Sequence, residues 1–201
     1  LAAMIRAPFL RMAGDESEEV RHFLLWDLYV IVATIPAVIV GLTFKDDFER
    51  MFSSVLVVCL MLIVTGGCMI ATRYLPEKGG KVTGFKAVLI GCAQACAILP
   101  GLSRSGSTIF MGMLLGINRE TVAKFSFIMS IPAILGAVVL NVKDIIGVPL
   151  PGDVMINLLV GMITSAVTGY FAIILLLDLV RKNRLLWFGY YCLTVAAICL
   201  S

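Results

Sequence analysis

Residues 84–117 read GFKAVLIGCAQACAILPGLSRSGSTIFMGMLLGI. The stretch is greasy enough for a membrane but too long for one straight crossing. Pro100-Gly101 and the polar run behind it break it in two. What remains is a pair of apolar half-helices of about 14 and about 10 residues, against the roughly 20 that a span needs. At 1.5 Å per residue they reach roughly 21 and 15 Å, short of a hydrocarbon core of about 30 Å. The economical reading is a re-entrant hairpin that dips in, turns at LPGLSRSGST and returns to the side it came from.

Composition agrees with a membrane. Of 201 residues, 60% are hydrophobic and 14% charged, and mean hydropathy is +1.03. A soluble domain is nearer half apolar with about a quarter charged. The charges cluster between apolar runs, in KDDFER, PEKGGK, NVKDIIGVPLPGD and RKNR. The expected fold is all-α, a polytopic integral membrane protein forming one membrane domain over 1–201. Complete spans are expected at 23–44, 52–72, 121–140, 154–177 and 185–200, with Leu1–Met12 the tail of an earlier one. The chain starts at Leu1 without a signal-peptide pattern, so upstream sequence is expected. Asp15 with Glu18 suggests a capping box for the first helix. Pro36 and Pro132 lie inside spans and are expected to kink them. Gly112 with Gly116, and Gly161 with Ser165, have the small-xxx-small spacing of helix contacts. A net charge of +3 without a basic, aromatic-interleaved patch excludes a nucleic-acid partner.

The basic residues test the hairpin. If it returns to its own side, one face collects Arg6, Arg11, Arg21, Arg73, Lys78, Lys81, Lys86, Arg119, Lys124, Arg181, Lys182 and Arg184. The other collects Lys45, Arg50 and Lys143, twelve against three. The positive-inside rule makes the first face cytoplasmic and puts the C-terminus outside. A full crossing at 84–117 would swap the later charges and shrink the bias. Other polar features carry less. The six cysteines lie in apolar runs without a CxxC pair; Cys92 and Cys96 are spaced i,i+4 but have no histidine near them, and all six are expected to be small packing residues. His22 beside Arg21 reads as an interfacial residue.

Arg104 is the one basic residue left over, and it sits at membrane depth. That costs on the order of 3 kcal/mol on insertion scales. A purely structural arginine would be satisfied by backbone carbonyls or snorkel to water. The alternative is an anion site. A guanidinium fork suits phosphate oxygens. A helix beginning at Thr108, capped by Ser105 or Ser107, would point unpaired N–H groups and a positive dipole end at the loop. Gly101 and Gly106 permit close approach. The hydroxyls of Ser103, Ser105, Ser107 and Thr108 are candidate donors or nucleophiles, and Gln94 on the incoming half-helix could face them. A phosphate reached from within a bilayer is most simply a lipid phosphate. The loop and its half-helices hold no carboxylate or histidine, so they make half a catalytic site.

PGLSRSGST resembles the PGxSRSxxT signature of the bacterial undecaprenyl-pyrophosphate phosphatase family, the group linked to bacitracin resistance. GCAQACAILPGLSRSGSTIFMGMLLGINRETVAKFSFIMSIPAILGA is similar to that family throughout, and the likeness extends over nearly all 201 residues. The resemblance implies hydrolysis of undecaprenyl pyrophosphate to undecaprenyl phosphate and inorganic phosphate, which recycles the lipid carrier of cell-wall synthesis. It implies an inverted repeat with two re-entrant hairpins, a bacterial plasma (inner) membrane location and a divalent cation, Mg or Ca. On that basis Ser103, Arg104 and Thr108 are assigned to catalysis, and Gly101, Ser105, Gly106, Ser107 and Gln94 to substrate binding; no metal ligand is assigned in this chain. Gln94 would be the counterpart of an acidic position in the family's first hairpin. That hairpin's (E/Q)xxxE motif, serine-rich loop and histidine have no match here, so the expectation is a C-terminal two-thirds that is inactive alone. The expected partners are the polyprenyl pyrophosphate and membrane lipids, with a homodimer left open.

Two other classes compete. Inverted repeats with broken helices and a midplane anion site also describe transporters and flippases of lipid phosphates or other anions; counterflow without hydrolysis would mark one. A non-catalytic lipid-pyrophosphate binder would bind and not hydrolyse.

Overall fold

The computed structural model describes residues 17–76, 78–145 and 152–200, and every regular element in them is a helix. Helix α1 is Glu18–Thr43, α2 is Lys45–Phe52, and α3 is Val55–Ala71, prolonged by a 3₁₀ turn at Thr72–Tyr74. Then come α4 (Gly84–Cys96), α5 (Arg104–Leu114), α6 (Arg119–Ile145), α7 (Gly152–Arg181) and α8 (Leu185–Leu200). Four segments, Glu18–Thr43, Val55–Tyr74, Arg119–Val139 and Val154–Arg181, are long and apolar enough to cross a membrane. This is a multi-pass, all-α membrane protein. Residues 185–200, expected as a fifth span, form a helix of 16 residues, about 24 Å long.

Local signals explain most of the ends. Ser17 caps α1, its hydroxyl accepting the Val20 N–H. Asp15, to which the sequence assigned the cap, lies outside the described residues, as do Leu1–Met12 with Arg6 and Arg11. Ser54 caps α3 in the same way through Val57. Pro36 and Pro132 lie inside uninterrupted helices. The helix after the polar loop begins at Arg104 with Ser103 as its cap; the expected start at Thr108 is four residues late, and neither Ser105 nor Ser107 is the cap.

The two halves of the broken stretch are tied together at their base. The Gly80 N–H donates to the Gly116 carbonyl at 3.0 Å, and the Asn118 N–H donates to the Gly80 carbonyl at 3.4 Å. The chain therefore leaves the hairpin where it entered it. Gly116 turns the chain there with φ +75°, against the aliphatic stem of Lys78. The same end holds the start of α6 and the end of α7, joined by Arg181 Nη2 to Glu120 Oε1 at 2.6 Å. Lys124 reaches the same carboxylate at 2.8 Å. Lys78, Arg119, Lys124 and Arg181 thus share one end of the bundle.

Glycines set the packing, as they do between membrane helices. Helix α4 runs alongside α1 with Gly91 against Ala33; a Cβ on Gly91 would lie 2.2 Å from the Ala33 carbonyl oxygen. Helix α3 meets α8 where Gly66 faces Gly189 and Leu193, and α5 meets α6 where Gly112 faces Val122. Of these, only the contact at Gly112 was expected, and its partner Val122 was not. Gly116 belongs to the turn instead, and a Cβ on Gly161 would meet nothing within 4 Å among the described residues. Between α1, α4, α5 and α6 lie the fully buried Ile90, Ile109, Val122, Phe125 and Met129. Trp26 of α1 stands edge-on to Phe125, centroids 5.7 Å apart. Cys59 and Cys192 pack inside and Cys68 is half-buried, whereas Cys92, Cys96 and Cys199 are exposed and do not pack as expected.

Helix register gives the height of the loop above the hairpin base. Thr108 is bonded to Ser126, which lies about 10 Å along α6 from Arg119. The Arg104 backbone is one further turn up, about 16 Å from the base.

Candidate active site

Helix α4 ends with its cap at Ala97, and residues 97–103 carry the chain across to α5 through tight turns. Pro100 is buried. Gly101 has φ +89°, and a Cβ there would lie 2.3 Å from the Val58 carbonyl oxygen of α3. Only glycine fits that conformation and that approach. The loop is also fastened to α3 by Thr65, which is 2% exposed. Thr65 donates to the Gly101 carbonyl at 3.1 Å, and its oxygen accepts the Ser103 N–H at 3.0 Å.

The four hydroxyls separate into two kinds. The Ser107 hydroxyl donates to the Ser103 carbonyl at 2.9 Å. The Thr108 hydroxyl is 0% exposed and held among the Arg104 carbonyl (3.0 Å), the Ser105 carbonyl (3.1 Å) and the Ser126 hydroxyl (2.6 Å). Both protons are engaged inside the protein, so in this conformation Ser107 and Thr108 hold α5 in place. Ser103 and Ser105 are half-buried and keep protons to give. The Ser103 oxygen accepts the Gly106 N–H at 3.2 Å; the Ser105 hydroxyl has no partner among the described residues. Gly106 is buried, with Met69 of α3 over it.

Arg104 and Gln94 meet across the loop. Arg104 Nε and Nη2 donate to Gln94 Oε1 at 3.1 and 2.9 Å. Gln94 is 2% exposed, and its Nε2 is buried without an acceptor among the described residues. The fork rests on a neutral amide, so its positive charge is not cancelled as a carboxylate would cancel it. The first-turn N–H groups of Arg104 and Ser105 precede any intrahelical acceptor, and the dipole of α5 adds roughly half a positive charge. Around this one loop, then, donors outnumber acceptors. A buried donor left unpaired costs about 1–3 kcal/mol, and an anion is the group that would supply all the missing acceptors.

Thr65 and Ser126 were not legible as site residues. Thr65 is the one hydroxyl of α3 and Ser126 one of three in α6, and they lie 38 and 18 residues from their partners. The donor set does not fit a metal. Guanidinium, amide N–H and serine hydroxyls are poor ligands for a divalent cation, and among the described residues no group of three or more His, Cys, Asp or Glu could hold one.

A family model described as "Bacitracin resistance protein BacA" matches residues 1–198. Among curated relatives, an undecaprenyl-diphosphatase of Alkaliphilus metalliredigens is 43% identical over 175 residues, covering 85% of this chain and 63% of that protein. One from Methanothermobacter thermautotrophicus is 44% identical over 179 residues, covering 86% of this chain and 97% of the relative. One from Carboxydothermus hydrogenoformans is 42% identical over 172 residues, covering 82% and 65%. The chain thus spans a little under two thirds of the first and third of these relatives and nearly all of the second.

Proposed function

The chain belongs to the bacitracin resistance protein BacA family, and on that premise we propose that it takes part in hydrolysing undecaprenyl pyrophosphate, supplying the pyrophosphate-binding half of the site. One phosphoanhydride bond is cleaved with one water, giving undecaprenyl phosphate and inorganic phosphate. The observation that carries this reading is the Arg104–Gln94 pair, a forked cation on a neutral amide with a buried donor to spare. In use, Arg104 and Gln94 Nε2 bind the pyrophosphate oxygens, and the first-turn N–H groups of α5 bind the charge that develops as the bond breaks. Ser103 and Ser105 are the hydroxyls still able to donate to substrate or attack it. The loop's position at the tip of the hairpin suits a headgroup whose prenyl tail stays in lipid.

The same proposal includes a bacterial plasma membrane, a cytoplasmic hairpin base and an outside C-terminus. Among the described residues no group of three or more His, Cys, Asp or Glu could hold the divalent cation implied by the family.

The test is phosphate release from undecaprenyl pyrophosphate in detergent by the chain and by Arg104→Ala, with and without magnesium or calcium, alongside binding of radiolabelled substrate. Release or binding by the wild type that Arg104→Ala abolishes supports the site. Equal binding by both refutes it, and counterflow in vesicles without hydrolysis supports the transporter reading instead.

A further inference from the structure

We propose that Thr65 is a positioning residue for the Arg104 loop, completing from another helix the N-terminal cap that α5 leaves half built. In a capping box, the cap hydroxyl accepts the N–H of the third helical residue, and that residue's Glu or Gln side chain accepts the cap's own N–H. Here Ser103 performs the first half on Gly106 at 3.2 Å. Gly106 has no side chain for the second half. Thr65 supplies it, taking the Ser103 N–H at 3.0 Å and anchoring itself on the Gly101 carbonyl at 3.1 Å. At 2% exposure it meets little competition from water.

An acceptor from α3 answers two constraints. A side chain at position 106 has little room, since its Cβ would come within 3.0 Å of the Ser103 side chain and 3.3 Å of Met69 Cε. A Glu there would also bring a carboxylate to the N-terminus of α5, competing with an anionic ligand for Arg104. Thr65 is neutral and stands behind the loop. Its single proton is committed to Gly101, so it has none for a ligand and acts by holding. The two backbone groups it grips flank Leu102, and the second belongs to Ser103, immediately before Arg104. The catalytic half of this inference rests on the proposed phosphate site; the cap itself does not.

The experiment compares Thr65→Val, which keeps the shape and loses the hydroxyl, with Thr65→Ser, which keeps the hydroxyl. Three readouts are taken on the whole chain in detergent: amide hydrogen exchange of the 99–107 peptide, kcat and KM on undecaprenyl pyrophosphate, and equilibrium binding of methylenediphosphonate. Thr65→Val is expected to speed exchange in the loop, weaken diphosphonate binding and lower kcat/KM on the order of 10- to 100-fold, most of it in kcat. Thr65→Ser should stay within about three-fold of wild type, since it keeps both bonds. If Thr65→Val does not fold, Thr65→Cys against Thr65→Ser makes the same comparison. Unchanged exchange in Thr65→Val, or Thr65→Ser impaired as much as Thr65→Val, overturns the inference. A wild type that neither binds nor hydrolyses, with a loop that still loosens in Thr65→Val, removes the phosphate reading and leaves the cap standing.

Discussion

Replacing Gly101 by alanine tests the loop at its tightest point. The added methyl carbon would sit 2.3 Å from the Val58 carbonyl oxygen, 3.0 Å from that carbonyl's carbon and 3.1 Å from the Val58 Cα. All three are backbone atoms of a spanning helix and cannot swing aside. To reach even a crowded 3.0 Å, the loop must retreat by about 0.7 Å. Thr65 lies on the same helix, so the retreat stretches its bonds of 3.1 and 3.0 Å past the useful hydrogen-bond range. Two weakened bonds at about 1 kcal/mol each, plus about 1–2 kcal/mol for an L-residue at φ +89°, give roughly 3 kcal/mol. Displacing Arg104 by most of an ångström should cost activity on the order of 100-fold. The control is Gly67→Ala, on the same helix, where a Cβ meets nothing within 4 Å. It should be silent or stabilise by up to about 1 kcal/mol, because alanine favours helix. Hydrolysis and the midpoint of thermal unfolding in detergent would be measured for both variants. Gly101→Ala with turnover within about three-fold of wild type, and an unfolding midpoint like that of Gly67→Ala, would refute this account of the loop.

Arg104→Lys should lose on the order of 100-fold in kcat/KM, because an ammonium cannot reproduce a fork; near-normal turnover in the hydrolysis assay would end that role for Arg104. Gln94→Glu should put a carboxylate within 3.1 Å of the guanidinium, close it to anions and abolish binding of labelled substrate without lowering the unfolding midpoint. Retained binding would show that Arg104 is not the anion's partner. Cys92→Ala with Cys96→Ala should leave activity within about two-fold, since both thiols are exposed and isolated surface changes are usually small. A loss of activity together with metal content would give the pair a function.

What was legible in the sequence is what one stretch decides locally. Pro100-Gly101 breaks a helix wherever it occurs, so the two short helices followed from composition and length alone. The start of α5 did not. Ser103, Ser105 and Ser107 can all cap a helix, and the choice among them is made by Thr65, 38 residues earlier. GMLLG posed the same difficulty, for its two glycines look alike in sequence. One lies against Val122, while the other takes φ +75° because Gly80 closes the hairpin beneath it. Gly66, Gly91 and Gly189 passed unread because close helix approach depends on the partner's register. Gln94 was visible as a polar residue on an apolar helix, but its pairing with Arg104 needed the turn between them.

The tie at Gly80 and Gly116 also bears on how the protein is made. A helix of 13 or 11 residues is too short to be left across a bilayer by the insertion machinery on its own merits. Its open turn would expose carbonyl and N–H groups to lipid. If the hairpin is re-entrant, it is expected to enter already docked, on α1 through Ala33 and Gly91 and on α6 through Gly112 and Val122. Biogenesis then has an order: α6, made after the hairpin, has to be in the membrane before the hairpin can settle. Widening either glycine contact would strand the segment between water and lipid, and the defect would be read by quality-control proteolysis as missing protein rather than as a slow enzyme.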